Sequence, residues 1–302
     1  MKECLIFEHV PKTAGTTFQK ILGRQYDREK TFHIEGAQPR TSLERFKALD
    51  PQSRRGFDLI KGHGAYLLRD HVGRPTRCIT LLRDPVDRIV SHYYYVLRRP
   101  QHYLHDVVKE RAMDLRDYVS SDLTPELRNH YVIAFARMDA AEVDRDPDAA
   151  LATARENLDA DFEAIGLVEQ FNLSVMLFRR KLGWNRFPVY ASRNVTSNRP
   201  LRREVPEDVR ARIVERNRLD MSLYEYARSR FDAEVRALGR NTLRLQTAGL
   251  DAANNVYSHF WLPSQRPRLL YAKLRSLSHR LSGGGRSRSE AKRDDGHGRF
   301  AG

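Results

Sequence analysis

Between Glu8 and Leu22 the chain reads EHVPKTAGTTFQKIL, which sets one lysine, one glycine and three threonines between an apolar run and a helical segment. A strand that enters such a turn and leaves it as a helix aims several backbone N–H groups at one spot, where the helix dipole also favours an anion. Lys12 adds a point charge, Thr13, Thr16 and Thr17 add hydroxyl donors, and Gly15 lets a ligand come close to the backbone. With Ala14 these residues form a candidate phosphate-binding turn. A Walker A loop needs a Gly-Lys pair, and this turn has none. Taken alone, the same pattern also fits an ordinary strand–helix turn carrying a surface lysine.

A second constellation is CITLLRDPVDRIVSHYYYV, residues 78–96. Asp84 is placed to cap a helix whose first residue is Pro85. Val86, Ile89, Val90 and Tyr93 then form its buried stripe. Arg83 at the strand end and Ser91 two turns into the helix lie off that stripe. A guanidinium fork and a hydroxyl so placed could grip one dianion. The alternative is that Arg83, Asp84, Asp87 and Arg88 only form surface ion pairs.

These groups need elements to hold them. Apolar runs at 4–8, 57–61 and 77–82 each precede a segment with helical spacing, and that alternation predicts an α/β fold with a central parallel sheet. A fourth run, 162–168, precedes a helix marked by Phe171, Val175, Phe178 and Leu182 and ended by Gly183. Residues 100–160 read as a charged helical insertion that could cap the sheet and shape a cleft, with Thr124-Pro125 a helix start. The stretch 191–206 reads as a basic surface loop, and a helix follows over about 207–231. The expected organisation is one α/β domain over 1–245, a basic amphipathic extension over 246–282 and a disordered tail over 283–302.

The 302 residues carry 53 Lys and Arg against 39 Asp and Glu, an excess that favours anionic partners. Residues 266–302 hold ten basic side chains against three acidic, so half of the net +14 lies in the tail and the body is only mildly basic. The stripe Leu270, Leu274, Leu277 and Leu281 with its basic flanks could lie on an anionic membrane surface or dock against the body or a second subunit. No motif points to nucleic acid. Cys4 and Cys78 alone give neither a zinc signature nor a disulfide framework. With no signal-peptide pattern and no apolar run of about 18–20 residues, the expectation is a cytoplasmic protein with reduced thiols.

Together, HVPKTAGTTF and RDPVDRIVSHYYY resemble the 5′-phosphosulfate loop and the 3′-phosphate motif of sulfotransferases that use 3′-phosphoadenosine 5′-phosphosulfate (PAPS). The likeness is to the uronosyl 2-O-sulfotransferase group, whose Gly-His segment KGHGAY at 61–66 resembles. GLVEQFNLSVMLFRRKLGW, RNVTSNRP and NRLDMSLYEYARSRF echo the later half, so the resemblance runs over about 3–232. It implies a P-loop-like three-layer fold that binds PAPS without a metal, transfers the sulfuryl group in line to an acceptor hydroxyl and releases 3′,5′-ADP. Lys12 would then neutralise the leaving oxygen, the turn at 13–17 would hold the 5′-phosphate, and Arg83 and Ser91 would grip the 3′-phosphate. His63 matches the family's general base, with Glu8 and His9 as alternatives on the same edge.

Arg193 and Arg199 occupy the region where these enzymes fold a basic lid, and Arg128 and Asn129 are candidates for reaching the acceptor. Where the group has a second histidine two positions before the base, this chain has Lys61, which sets the uronic-acid substrate in question. The acceptor expected is a glycan or glycoconjugate hydroxyl. Two other readings stay open at this point. One is a metal-dependent phosphotransferase in which ITLLRD at 79–84 ends in a Walker B aspartate. The other is a non-catalytic nucleotide- or glycan-binding module.

Overall fold

Strand-forming runs buried on both faces dictate the centre of the molecule. In the computed structural model, which describes residues 3–191 and 205–259, every residue of β1 (Cys4–Glu8) is buried. With β2 (Thr31–His33), β3 (Leu59–Gly62), β4 (Thr76–Leu82) and β5 (Phe162–Leu167) it forms a five-stranded sheet ordered β2-β3-β1-β4-β5. All four pairings are parallel, so the architecture is the α/β sheet that the sequence predicts. The chain leaves β1 for one edge of the sheet and later crosses to the other side of β1. The carboxyl ends of β1, β3 and β4 therefore border a topological switch point, where open α/β sheets bind ligands.

The flanking helices, in chain order, are α1 (Gly15–Gln25), α2 (Pro39–Lys47), α3 (Pro51–Arg55), α4 (Pro85–Leu97), α5 (His105–Glu110) and α6 (Leu115–Ser120). They continue with α7 (His130–Ala136), α8 (Ala140–Arg145), α9 (Pro147–Asp161), α10 (Phe171–Leu182), α11 (Glu207–Arg216) and α12 (Arg218–Ala237). A further helix runs over 240–259. The short α6 and α8 are each held by a reciprocal capping box, Asp114 with Asp117 and Asp139 with Glu142. Residues Met1–Asn254 make one compact unit and Asn255–Gly302 another, of which only 255–259 are described. Among the described residues no helix is long and apolar enough to cross a membrane.

Two details differ from the sequence reading. β2 was not foreseen, because three residues with one buried side chain, Phe32, carry no periodicity. The helix expected over 207–231 is two helices broken at Asn217. That side chain donates to the Leu127 and Ile213 carbonyls and accepts from the Asn129 N–H, satisfying groups an unbroken helix would leave to others.

Packing divides into two apolar clusters. The larger surrounds the sheet and includes Phe7, Phe18, Phe178 and Phe231. The smaller joins Val86, Ile89, Val90 and Val96 of α4 to Val108, Tyr118, Val209 and Ile213 of α5, α6 and α11. At α4 sits Arg88, which the surface ion-pair reading placed outside; it is fully buried instead. Its Nη1 donates to the Glu126 carbonyl at 2.8 Å, its Nη2 lies 3.6 Å from Asp220 Oδ2, and its guanidinium faces the Tyr131 ring. Asp220, equally buried, accepts the N–H groups of Tyr131 and Val132. Removing one partner of such a pair strands the other charge, at a cost of about 3–5 kcal/mol.

Candidate functional site

The turn after β1 is shaped by its own backbone. Lys12 (φ 68°) and Ala14 (φ 59°) both adopt the left-handed conformation, and Ala14 precedes α1 without a side-chain cap. The Thr13 hydroxyl is buried and donates to the Val10 carbonyl at 2.8 Å, so it fixes the turn and leaves a ligand only its backbone N–H. Thr16 is exposed and Thr17 half-buried, and neither hydroxyl has a partner among the described residues. Gly15 is required by a neighbour. A Cβ there would fall 1.8 Å from Nε2 of His9, whose ring occupies that space.

Cationic groups crowd this turn. Lys12 Nζ lies 3.5 Å above the Tyr95 ring of α4. Burial, and then the charges of Arg83, Arg98 and Arg99, push its ammonium down to about 7. The Glu126 carboxylate offsets this only in part, and an anionic ligand would restore the charge. Arg83 at the end of β4 donates from Nη1 to the Lys12 carbonyl at 3.4 Å, which ties the two candidate phosphate motifs together. Its backbone is clamped by Tyr131, whose hydroxyl donates to the Arg83 carbonyl and accepts its N–H. Asp84 caps α4, accepting the N–H groups of Val86 and Asp87, while Ser91 is half-buried and makes no hydrogen bond among the described residues.

His63 follows β3 in a turn that only glycine can enter. Gly62 has φ 140°, and a Cβ there would lie 2.6 Å from Ile34 Cβ. His63 Nδ1–H donates to the His9 carbonyl, which leaves Nε2 unprotonated, and the two imidazoles stack at 4.3 Å. Burial holds His63 below its ordinary range, so at neutral pH it is an uncharged base. Glu8 supports this turn. Its carboxylate accepts from Gly64 N at 3.0 Å and Tyr66 N at 2.8 Å. His9 is likewise committed, because the Gln19 amide donates to its Nδ1 at 3.0 Å and burial keeps its ring neutral. Lys61 Nζ points to the Gln19 carbonyl at 3.4 Å.

The remaining candidates take part in other contacts or fall outside the described residues. Arg128 pairs with Asp144 at 2.5 Å, and Asn129 bonds Asn217 and Leu219, so both join helices to one another. Arg193, Arg199 and the stripe at 270–281 lie outside the described residues. Sequence reasoning missed a cluster beside the site. His92 Nε2 meets Glu126 Oε2 at 2.6 Å, and His92 Nδ1 meets the Tyr118 hydroxyl at 2.7 Å. His92 follows Ser91 directly, but nothing in its spacing announces a partner 34 positions away. His130, half-buried and pushed down to about 4 by the desolvation of its ring, adjoins the same group.

The arrangement sets an uncapped helix start and a cationic cluster beside a neutral histidine, which suits transfer of an anionic group to a nucleophile that must lose a proton. A protein-family model described as "Sulfotransferase family" matches residues 2–227, three quarters of the chain. No curated protein matches it.

Proposed function

This chain belongs to the sulfotransferase family, and from that premise we propose that it moves the sulfuryl group of PAPS to a hydroxyl of a carbohydrate acceptor. The observation that carries the reading is the contact between Arg83 and the Lys12 carbonyl, which makes one basic site of the turn after β1 and the start of α4. The residues present fit the donor. Lys12 is depressed by burial and by neighbouring cations, α1 begins uncapped, and the Ser91 hydroxyl makes no hydrogen bond among the described residues. PAPS supplies an activated sulfuryl group on a phosphate that can leave.

The chain's own residues supply the rest. The N–H groups of Ala14 to Thr16 and the Thr16 and Thr17 hydroxyls would hold the 5′ side. Arg83 and Ser91 would hold the 3′-phosphate, the group that separates PAPS from ATP. His63 Nε2 would take the acceptor proton, and the His9 carbonyl, held against Nδ1–H, would stabilise the imidazolium that results. Lys12 would balance charge on the departing oxygen.

Calorimetric titration with 3′,5′-ADP, ADP and ATP, each with and without magnesium, tests the assignment. Metal-independent binding of 3′,5′-ADP in preference to the other two is expected. Preference for ATP with magnesium would overturn it and favour a phosphotransferase.

A further inference from the structure

A line of ring contacts leads away from Lys12 and ends at a carboxylate. Tyr95, beneath Lys12 Nζ, meets His102 edge-on at 5.6 Å, and His102 meets His92 edge-on at the same separation. His92 in turn holds Glu126 Oε2. Tyr103 stacks on His102 at 4.7 Å and donates its hydroxyl to Thr124 Oγ1 at 2.8 Å, two residues from Glu126. Although anchored at both ends, the Tyr103 side chain stands out, with the residue 66% exposed. A large aromatic ring fixed in place and open to solvent is a stacking surface.

Glu126 is the polar member of this wall. Burial alone would raise its carboxyl, yet the His92 hydrogen bond and the nearby His92, His130 and His63 hold it well below the usual carboxylate range. Its charge acts on both His63 and Lys12, so it stands by the reacting groups. Oε2 is occupied by His92, whereas Oε1 accepts no hydrogen bond among the described residues, and the side chain is a quarter exposed.

An aromatic face beside an ionised carboxylate with one open oxygen recognises a particular chemistry. The carbon–hydrogen face of a sugar ring lies flat on the aromatic ring, and a sugar hydroxyl donates to the carboxylate. A uronic acid in the same place would set a second carboxylate against the first, in surroundings where neither is well solvated. Resting on the sulfotransferase reading above, we infer that the wall formed by Tyr103, His102 and Glu126 is the acceptor subsite, and that it selects an uncharged saccharide over an acidic one.

The test uses the full chain with PAPS and a set of neutral oligosaccharides, each paired with its form oxidised at C6 to the uronate. Wild-type kcat/KM should favour the neutral member by at least about tenfold. Glu126→Gln, which keeps the shape and removes the charge, should bring that ratio towards one. Tyr103→Ala, which removes an exposed ring, should raise KM several-fold for neutral acceptors and leave 3′,5′-ADP affinity unchanged. A wild-type preference for uronates, or a ratio that Glu126→Gln does not move, overturns the inference. Thermal melts of both variants separate misfolding from lost recognition, and if Glu126→Gln does not fold, the wild-type ratio and Tyr103→Ala decide. Titration of the same samples with 3′,5′-ADP keeps the two levels apart. Binding without sulfation of any neutral saccharide sinks the subsite alone, and no binding sinks the sulfotransferase reading with it.

Discussion

The turn that carries Lys12 and the helical wall that carries Glu126 face the same site, but they are assembled differently. Most of the turn comes from one strand end and the first residues of α1, and backbone conformation shapes it: left-handed Lys12 and Ala14, Thr13 bonded to Val10, Gly15 beneath His9. The wall gathers side chains from α4, the segment after it and the turn at Pro125–Leu127, and side-chain pairs hold it: His92 with Glu126, Tyr103 with Thr124, Arg88 with Asp220. A site built from a continuous segment keeps its chemistry if distant residues change. One built from distant pairs can alter its specificity one pair at a time, and it depends on the buried charge behind it.

Four measurements would break or sharpen that contrast. The largest effect should come from His63→Ala, with turnover down about 10²–10⁴-fold and 3′,5′-ADP affinity nearly unchanged by calorimetry. On the wall side, Arg88→Ala should cost about 3–5 kcal/mol in denaturant unfolding, because Asp220 is left buried without its partner. If it melted like wild type, the claim that this pair supports the wall would be wrong. Arg83→Ala belongs to the turn, so it should weaken 3′,5′-ADP binding by about 1.5–3 kcal/mol with little change in stability.

The smallest effect is a pH profile. Burial keeps His63 below its ordinary value, so the acid limb of kcat/KM should lie below about 6.5, where the base gains its proton. Lys12 must be charged to bind the sulfuryl donor, and its free-enzyme value of about 7 puts the alkaline limb there. Above that pH affinity for 3′,5′-ADP should fall by up to about tenfold per unit, and binding should take up a proton. An alkaline limb near the ordinary lysine value would show that Lys12 is not crowded as described.

How much of this could be read beforehand follows from the same contrast. Runs such as CLIFE and TRCITLL have one interpretation, and the observed strands fall within a residue or two of those expected. Asp84-Pro85 and Gly183 mark helix ends by local rules, and both are found at those ends. The three-residue β2 has no pattern to detect. Arg88 in RDPVDRIV looks like a surface charge until Asp220, 132 positions later, is seen beside it. Glu126 and His92 were passed over for the same reason, and the part Glu8 plays beneath the His63 turn has no signal in its spacing either.

The ring of His9, lying where a side chain on residue 15 would have to grow, also constrains how this sequence can change over generations. A substitution at position 15 requires the His9 ring to move, because the first added carbon already meets the imidazole. Moving that ring disturbs the stacked neighbour of His63, so a change at position 15 reaches the candidate base. The two positions are therefore coupled, and what position 15 tolerates depends on the residue at position 9.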